Sequence, residues 1–134
     1  MSTIQKLEDN ESWKLAGGIA EYVYGLLGEL PEEEKWDMQS KLRQRAFSLT
    51  SNISEACGSV DPRDKNISCA QAMRDVFGLK NALIMASKTY ALDLDPATMV
   101  KLNKLADIID DAISESAKAA PEYLNQFSKQ EEKS

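Results

Sequence analysis

The sequence predicts an all-α protein, an antiparallel up-down-up-down four-helix bundle, and three observations carry that expectation. Apolar residues recur at helical spacing in four separate segments, strict apolar–polar alternation is absent, and the connections between segments are short enough to force antiparallel neighbours. At 134 residues and 43% hydrophobic, the chain has material for one core and is a single domain by size. The expected layout is a polar arm over residues 1–11, the bundle over 12–119, and a polar, mobile tail over 120–134.

The first helix is expected from about Ser12, as N-cap, to Glu29, with Leu15, Ile19, Val23, Leu26 and Leu30 on one face. Gly17 and Gly18 weaken it by about 1 kcal/mol each relative to alanine, so close approach of another backbone is the expected reason for them. The second helix is expected to open at Pro31, with Glu32, Glu33 and Glu34 where the helix dipole favours negative charge, and to close at Gly58. Met38, Leu42, Ala46, Leu49, Ile53 and Ala56 form its apolar stripe. Beside that stripe lies a polar one, Lys41, Arg45, Ser48, Asn52 and Glu55, and a third line holds Arg43, Phe47, Thr50 and Ser54.

The third helix is expected from about Asp64 to Ala91. One of its apolar lines is Ala70, Met73, Phe77 and Ile84; the other is Ala72, Val76, Leu79, Leu83, Ala86 and Tyr90. Two apolar lines imply burial on two sides. Asp95 and Pro96 open the fourth helix as N-cap and first helical residue. Its stripe is Leu102, Leu105, Ile109, Ala112 and Ser116, and Pro121 is expected to break the pattern.

The chain contains no histidine. That removes Ser-His-Asp and Cys-His catalysis and the Glu-x-x-His ligands of a di-iron bundle. Asp107, Asp110, Asp111 and Glu115 share helical spacing, but Lys104 and Lys118 lie nearby and a solvated face explains them. There is no glycine-rich phosphate loop. No catalytic residue, metal site or cofactor is therefore expected, and the protein is read as a non-enzyme. The two cysteines, Cys57 and Cys69, are read as buried thiols. The acidic, polar N-terminus lacks the form of a signal peptide and no apolar run is long enough to span a bilayer, so a cytoplasmic location and no membrane contact are expected.

The net charge is −6 and the pI about 4.7, which disfavours a nucleic-acid partner, since affinity there comes mainly from neutralising phosphates. The charge is uneven, however: residues 59–92 hold Arg63, Lys65, Arg74, Lys80 and Lys88 against Asp61, Asp64 and Asp75. Lys41, Arg43, Arg45, Arg63, Lys65 and Arg74 are the candidate nucleic-acid contacts. The polar stripe of helix two reads either as a solvent face, as a subunit contact, or as a ligand or nucleic-acid contact; serine and asparagine in mid-helix call for a reason beyond solubility, and more apolar faces are present than one bundle uses. Phe47, Asn52, Glu55 and Leu79 are therefore the candidate contacts to a second subunit or a protein partner. The aromatic residues Trp13, Tyr22, Tyr24, Trp36, Phe47, Phe77 and Tyr90 sit at spacings that suit core or interface burial.

Several of these residues carry a family resemblance. Trp13-Lys14-Leu15-Ala16, the Leu30-Pro31 lead into helix two, Leu42-Arg43-Gln44-Arg45-Ala46 and Ser51-Asn52-Ile53-Ser54-Glu55-Ala56-x-Gly58 resemble the four-helix-bundle proteins encoded in intervening sequences of 23S ribosomal RNA. The pattern of that family is roughly WxLA followed by LRRAAxSIPxNIAEGxGR. A sister group is the accessory variability protein of diversity-generating retroelements, which assists a reverse transcriptase. The resemblance covers about residues 12–115 and is strongest on helix two. It implies a homopentameric ring without enzymatic activity, with Asn52, Ile53 and Glu55 near helix and subunit contacts. It also admits a reverse transcriptase or another protein as partner and, in the retroelement branch, a basic surface for nucleic acid. Two departures weaken that last implication. Ser59-Val60-Asp61-Pro62 stands where the family is basic, and Ala82 stands where its third helix carries glutamate. The function expected is an oligomeric scaffold or adaptor for a protein partner, with a nucleic-acid accessory role as the alternative.

Overall fold

The computed structural model describes residues 6–33 and 35–133. A short 3-10 turn, Leu7–Asp9, precedes four α-helices: α1 (Glu11–Leu27), α2 (Lys35–Gly58), α3 (Pro62–Tyr90) and α4 (Pro96–Lys133). No strand occurs among the described residues. In sequence order each helix packs on the next, and α1 closes the circuit against α4, so the four surround one core. None of these helices is long and apolar enough to cross a membrane. Met1–Gln5, Glu34 and Ser134 lie outside the described residues, and with them part of the expected N-terminal arm and one of the three glutamates expected at the start of helix two.

One apolar stripe from each helix builds the core as expected, but the second line expected on α3 does not: Phe77 is 61% exposed and Ala70, Met73 and Ile84 are only half-buried. Ile19 and Val23 of α1, Leu42, Ala46 and Leu49 of α2, Leu79 and Leu83 of α3, and Leu102 and Leu105 of α4 are all fully buried in a single cluster. Trp13, Tyr22, Met38, Met73 and Tyr90 pack partly buried around it. Burying a side chain of this size contributes about 1.5–3 kcal/mol, so the four stripes together hold the bundle closed.

Several helix ends differ from expectation, each for a local reason. Asn10, not Ser12, caps α1: its Oδ1 accepts from the Trp13 N–H at 3.0 Å and also from the Ser12 hydroxyl. Between α1 and α2 the chain turns through Pro31–Glu33 instead of continuing as helix. The turn drops Leu30 into the core and lets the Gln39 amide donate to the Leu27 carbonyl at 2.7 Å, which satisfies an orphan group at the end of α1. Asp61 caps α3 through the Arg63 N–H at 2.9 Å, with Pro62 as first helical residue. The same Asp-Pro device opens α4 at Asp95-Pro96, where the Asp95 carboxylate accepts from Ala97 N–H and the Thr98 hydroxyl. Ala91, at φ 53°, ends α3 in the left-handed region, and the Leu92 N–H reaches back to the Ser87 carbonyl at 3.1 Å.

Pro121 does not end α4, which runs through it to Lys133. One proline in a helix interior costs about 3 kcal/mol. Its neighbours Ala117, Lys118, Ala119, Ala120, Glu122 and Leu124 are mostly strong helix formers and extend the helix on both sides.

The expected close approach at Gly17-Gly18 is absent. A Cβ on Gly17 would meet nothing within 4 Å, and one on Gly18 only the Lys101 ammonium at 3.4 Å. Gly17→Ala is therefore expected to stabilise the fold by about 1 kcal/mol through helix propensity alone. Thermal denaturation checks this, and a melting temperature that falls would mean that something packs on Gly17.

Candidate functional site

The middle of the polar stripe of α2, Arg45, Ser48 and Asn52, faces α3, while Lys41 and Glu55 at its ends are exposed. The contact centres on Asp75, an aspartate 4% exposed on the core side of α3 beside Ala72, Val76 and Leu79. The Ser48 hydroxyl donates to Asp75 Oδ2 at 2.8 Å and the Asn52 amide donates to the same oxygen at 2.7 Å. Arg45 Nη1 reaches Asp75 Oδ1 at 3.4 Å. The Asn52 amide also lies 3.3 Å from the Ser48 hydroxyl, so three successive turns of α2 converge on one carboxylate. A buried charge is tolerated only when it is paired and hydrogen-bonded, and this clamp supplies both conditions.

Gly78 makes room for the clamp. A Cβ there would stand 2.9 Å from Arg45 Cζ and Nε, so a side chain at this position would make the guanidinium shift. Beyond it, the α2–α3 surface opens into a shallow cavity of about 710 Å³ with Arg45, Phe47, Ser48, Asp75 and Asn81 in its wall.

The predicted contact residues separate on this frame. Asn52 is committed to the clamp inside the chain. Leu79 is 0% exposed in the core, so the outward position expected for it is corrected: it lies on the same apolar line as Ala72, Val76 and Leu83 and offers no surface to a second chain. Glu55 is exposed at the far end of the stripe and takes no part in the clamp. Phe47 is 65% exposed, on the outer face of α2.

The six predicted cations do not form one patch. Lys41 pairs with Asp37 at 3.2 Å, Arg45 with Asp75, and Arg63 with Asp61 at 2.7 Å. Hydrogen bonds from Arg63 hold the Asp61 carboxyl below its ordinary range, and Asp61 raises Arg63 in return. Arg43 and Arg74 are exposed without an ion partner among the described residues. Arg63 and Lys65 stand at the α2–α3 turn, the end of the bundle opposite the N-terminus of α2 that carries Lys41 and Arg43.

The cysteines divide as well. Cys69 is buried, as expected, but Cys57 is exposed. Both nevertheless line one cavity of about 630 Å³ with Lys65, Ile53 and Ile109, and burial of each sulfur raises its pKa, with Lys65 opposing the rise. Among the described residues no group of three or more His, Cys, Asp or Glu is placed to hold a metal ion. Asp107, Asp110, Asp111 and Glu115 lie on the exposed face of α4.

The aromatic residues split into two sets. Trp13, Tyr22 and Tyr90 pack against the core, and the Tyr22 hydroxyl accepts from the Asp95 N–H at 3.0 Å. Tyr24, Trp36, Phe47 and Phe77 are exposed, Trp36 at 89% and Phe77 at 61%. Tyr24, Trp36 and Phe47 line a groove of about 590 Å³ between α1 and α2, together with Arg43, Gln39 and Ser40.

Fold and site together define a four-helix bundle whose second and third helices are pinned by a buried aspartate and whose outer faces carry unburied aromatic residues. Over residues 8–115 the chain matches the model of the 23S rRNA-intervening sequence protein family. The chain belongs to that family. No curated protein and no solved structure matches it closely enough to count as a relative.

Proposed function

We propose that this chain acts as an oligomeric helical adaptor that joins copies of itself and presents a surface to a protein partner, without chemistry of its own. The observation that carries this reading is the spare apolar surface. The core is closed by the chain's own helices, yet Trp36, Phe47, Ile67, Phe77 and Met85 remain more than half or nearly half exposed on α2 and α3. Isolated apolar side chains at a surface are ordinary, but Trp36 and Phe47 stand with Tyr24 around one groove, and such a gathering marks a contact site. The ring of five copies implied by the family resemblance is the assembly we propose. A cytoplasmic setting suits a chain without an apolar spanning helix among those described.

The nucleic-acid role is the weaker reading, because three of the six candidate cations are already paired inside the chain. Phosphate contacts need charges free to displace counterions.

Native mass spectrometry of the protein recovered gently from its host tests the proposal. The expected result is a multiple of 14.9 kDa carrying an added polypeptide mass that survives nuclease treatment. Added mass that nuclease removes would contradict the adaptor reading and support the nucleic-acid one.

A further inference from the structure

The core is left unfilled at one end of the bundle, where α1 and α3 begin and α2 ends. The last buried large side chains of α2 and α4 at that end are Ile53 and Ile109. Beyond them stand small ones, Ala56 and Gly58 on α2, Cys69 on α3 and Ala112 on α4. These do not occupy the width that leucine and isoleucine fill elsewhere in the core, and a cavity of about 630 Å³ remains. Leu7 of the 3-10 turn and Ile108 of α4 line it, both half-buried and neither packed on the core cluster. Its volume is that of a small-molecule site, about 300–1,000 Å³.

The charge of this cavity is the reverse of the chain's. The protein carries −6 overall, yet the wall holds two lysines, Lys6 and Lys65, and no acid. Neither lysine is ion-paired among the described residues. Lys65 also borders the smaller neighbouring cavity that holds Glu115, without pairing with it. Its charge favours the thiolate of both Cys57 and Cys69, so it acts across the space that the two sulfurs share. Asn10 and Ser12, at the start of α1, are in the same wall, and the positive end of that helix dipole adds to the field of the lysines. A wholly apolar ligand would leave the two ammonium groups unused. A wholly polar anion would leave Ile53, Ile108 and Ile109 uncovered.

We propose that this cavity binds a small amphipathic carboxylate, an aliphatic acid whose chain lies on Ile53, Ile108 and Ile109 and whose carboxylate meets Lys65 and Lys6. The hydrocarbon supplies affinity by leaving water for an apolar floor, and the lysines fix which end faces out through charge-assisted hydrogen bonds. The inference is independent of the oligomeric reading above, because every residue it uses belongs to one chain.

The test is isothermal titration calorimetry of the full chain with decanoate and with decanol, and circular dichroism to verify that each variant is folded. The wild-type chain is expected to bind decanoate saturably, one molecule per chain, and decanol about tenfold or more weakly. Lys65 is exposed, so Lys65→Gln is expected to fold normally and to weaken decanoate by a similar factor. Ala112→Phe fills the cavity and is expected to abolish binding. Lys88→Gln, at the far end of α3, is expected to leave it unchanged. Absence of saturable decanoate binding would overturn the site. Decanol binding as tightly as decanoate would overturn it by removing the charge recognition. Decanoate binding unchanged in folded Lys65→Gln or folded Ala112→Phe, or weakened equally by Lys88→Gln, would place the ligand elsewhere and overturn it too.

Discussion

Leu79→Glu is expected to unfold the protein outright. The leucine is fully buried on the core line of α3. Truncating such a side chain to alanine already costs about 2–5 kcal/mol. A glutamate in its place adds a carboxylate with no partner, a further several kcal/mol unless it protonates or drags water into the core. The sum is comparable with the whole stability of a domain, about 5–15 kcal/mol. Circular dichroism should therefore show no cooperative melting transition. A variant that folded normally and lost only its assembly would place Leu79 at a subunit surface and contradict the packing described above.

Asp75→Ala is expected to cost about 2–4 kcal/mol, since it strips the half-buried Ser48 hydroxyl and Asn52 amide of their shared acceptor. That corresponds to a fall of roughly 10 °C in melting temperature. Arg45 contributes little to this figure. Its side chain is 49% exposed and its contact is long, at 3.4 Å, so solvent screens the pair and Arg45→Ala should cost under about 1 kcal/mol. The contrast between the two variants, measured by chemical denaturation, identifies the source of the stabilisation. Equal losses would mean that the ion pair holds α2 to α3; a loss confined to Asp75→Ala would assign the hold to the buried hydrogen bonds.

The core was legible in the sequence because helical periodicity states it directly. Leu42, Ala46, Leu49, Ile53 and Ala56 repeat on one face of α2 and all are buried. The clamp was not legible, because its two halves lie 23 to 30 residues apart on different helices. Seen on α2 alone, Arg45, Ser48 and Asn52 resemble a wet face or a subunit contact. The missing signal was Asp75 itself, an acid on the apolar side of α3, which nothing but a polar stripe on a facing helix would stabilise. Leu79 could have been placed correctly, since its own line with Ala72, Val76 and Leu83 points to the core. At Pro62 the start of α3 was readable from the same Asp-Pro pair that marks α4, but the pair at Asp61-Pro62 resembles a loop when followed by charged residues. The run of α4 through Pro121 depends on propensity summed over many neighbours, which a single strong breaker obscures.

The claim on which the functional account turns is that this bundle does not exist alone in solution. The mass of the purified chain, measured by analytical ultracentrifugation at micromolar concentration, tests it most directly. The account predicts a single species at a multiple of 14.9 kDa, with five copies as the multiple proposed. A species of 14.9 kDa alone, folded and stable, would contradict it and leave the exposed aromatic faces of α1 and α2 without a second copy to cover them.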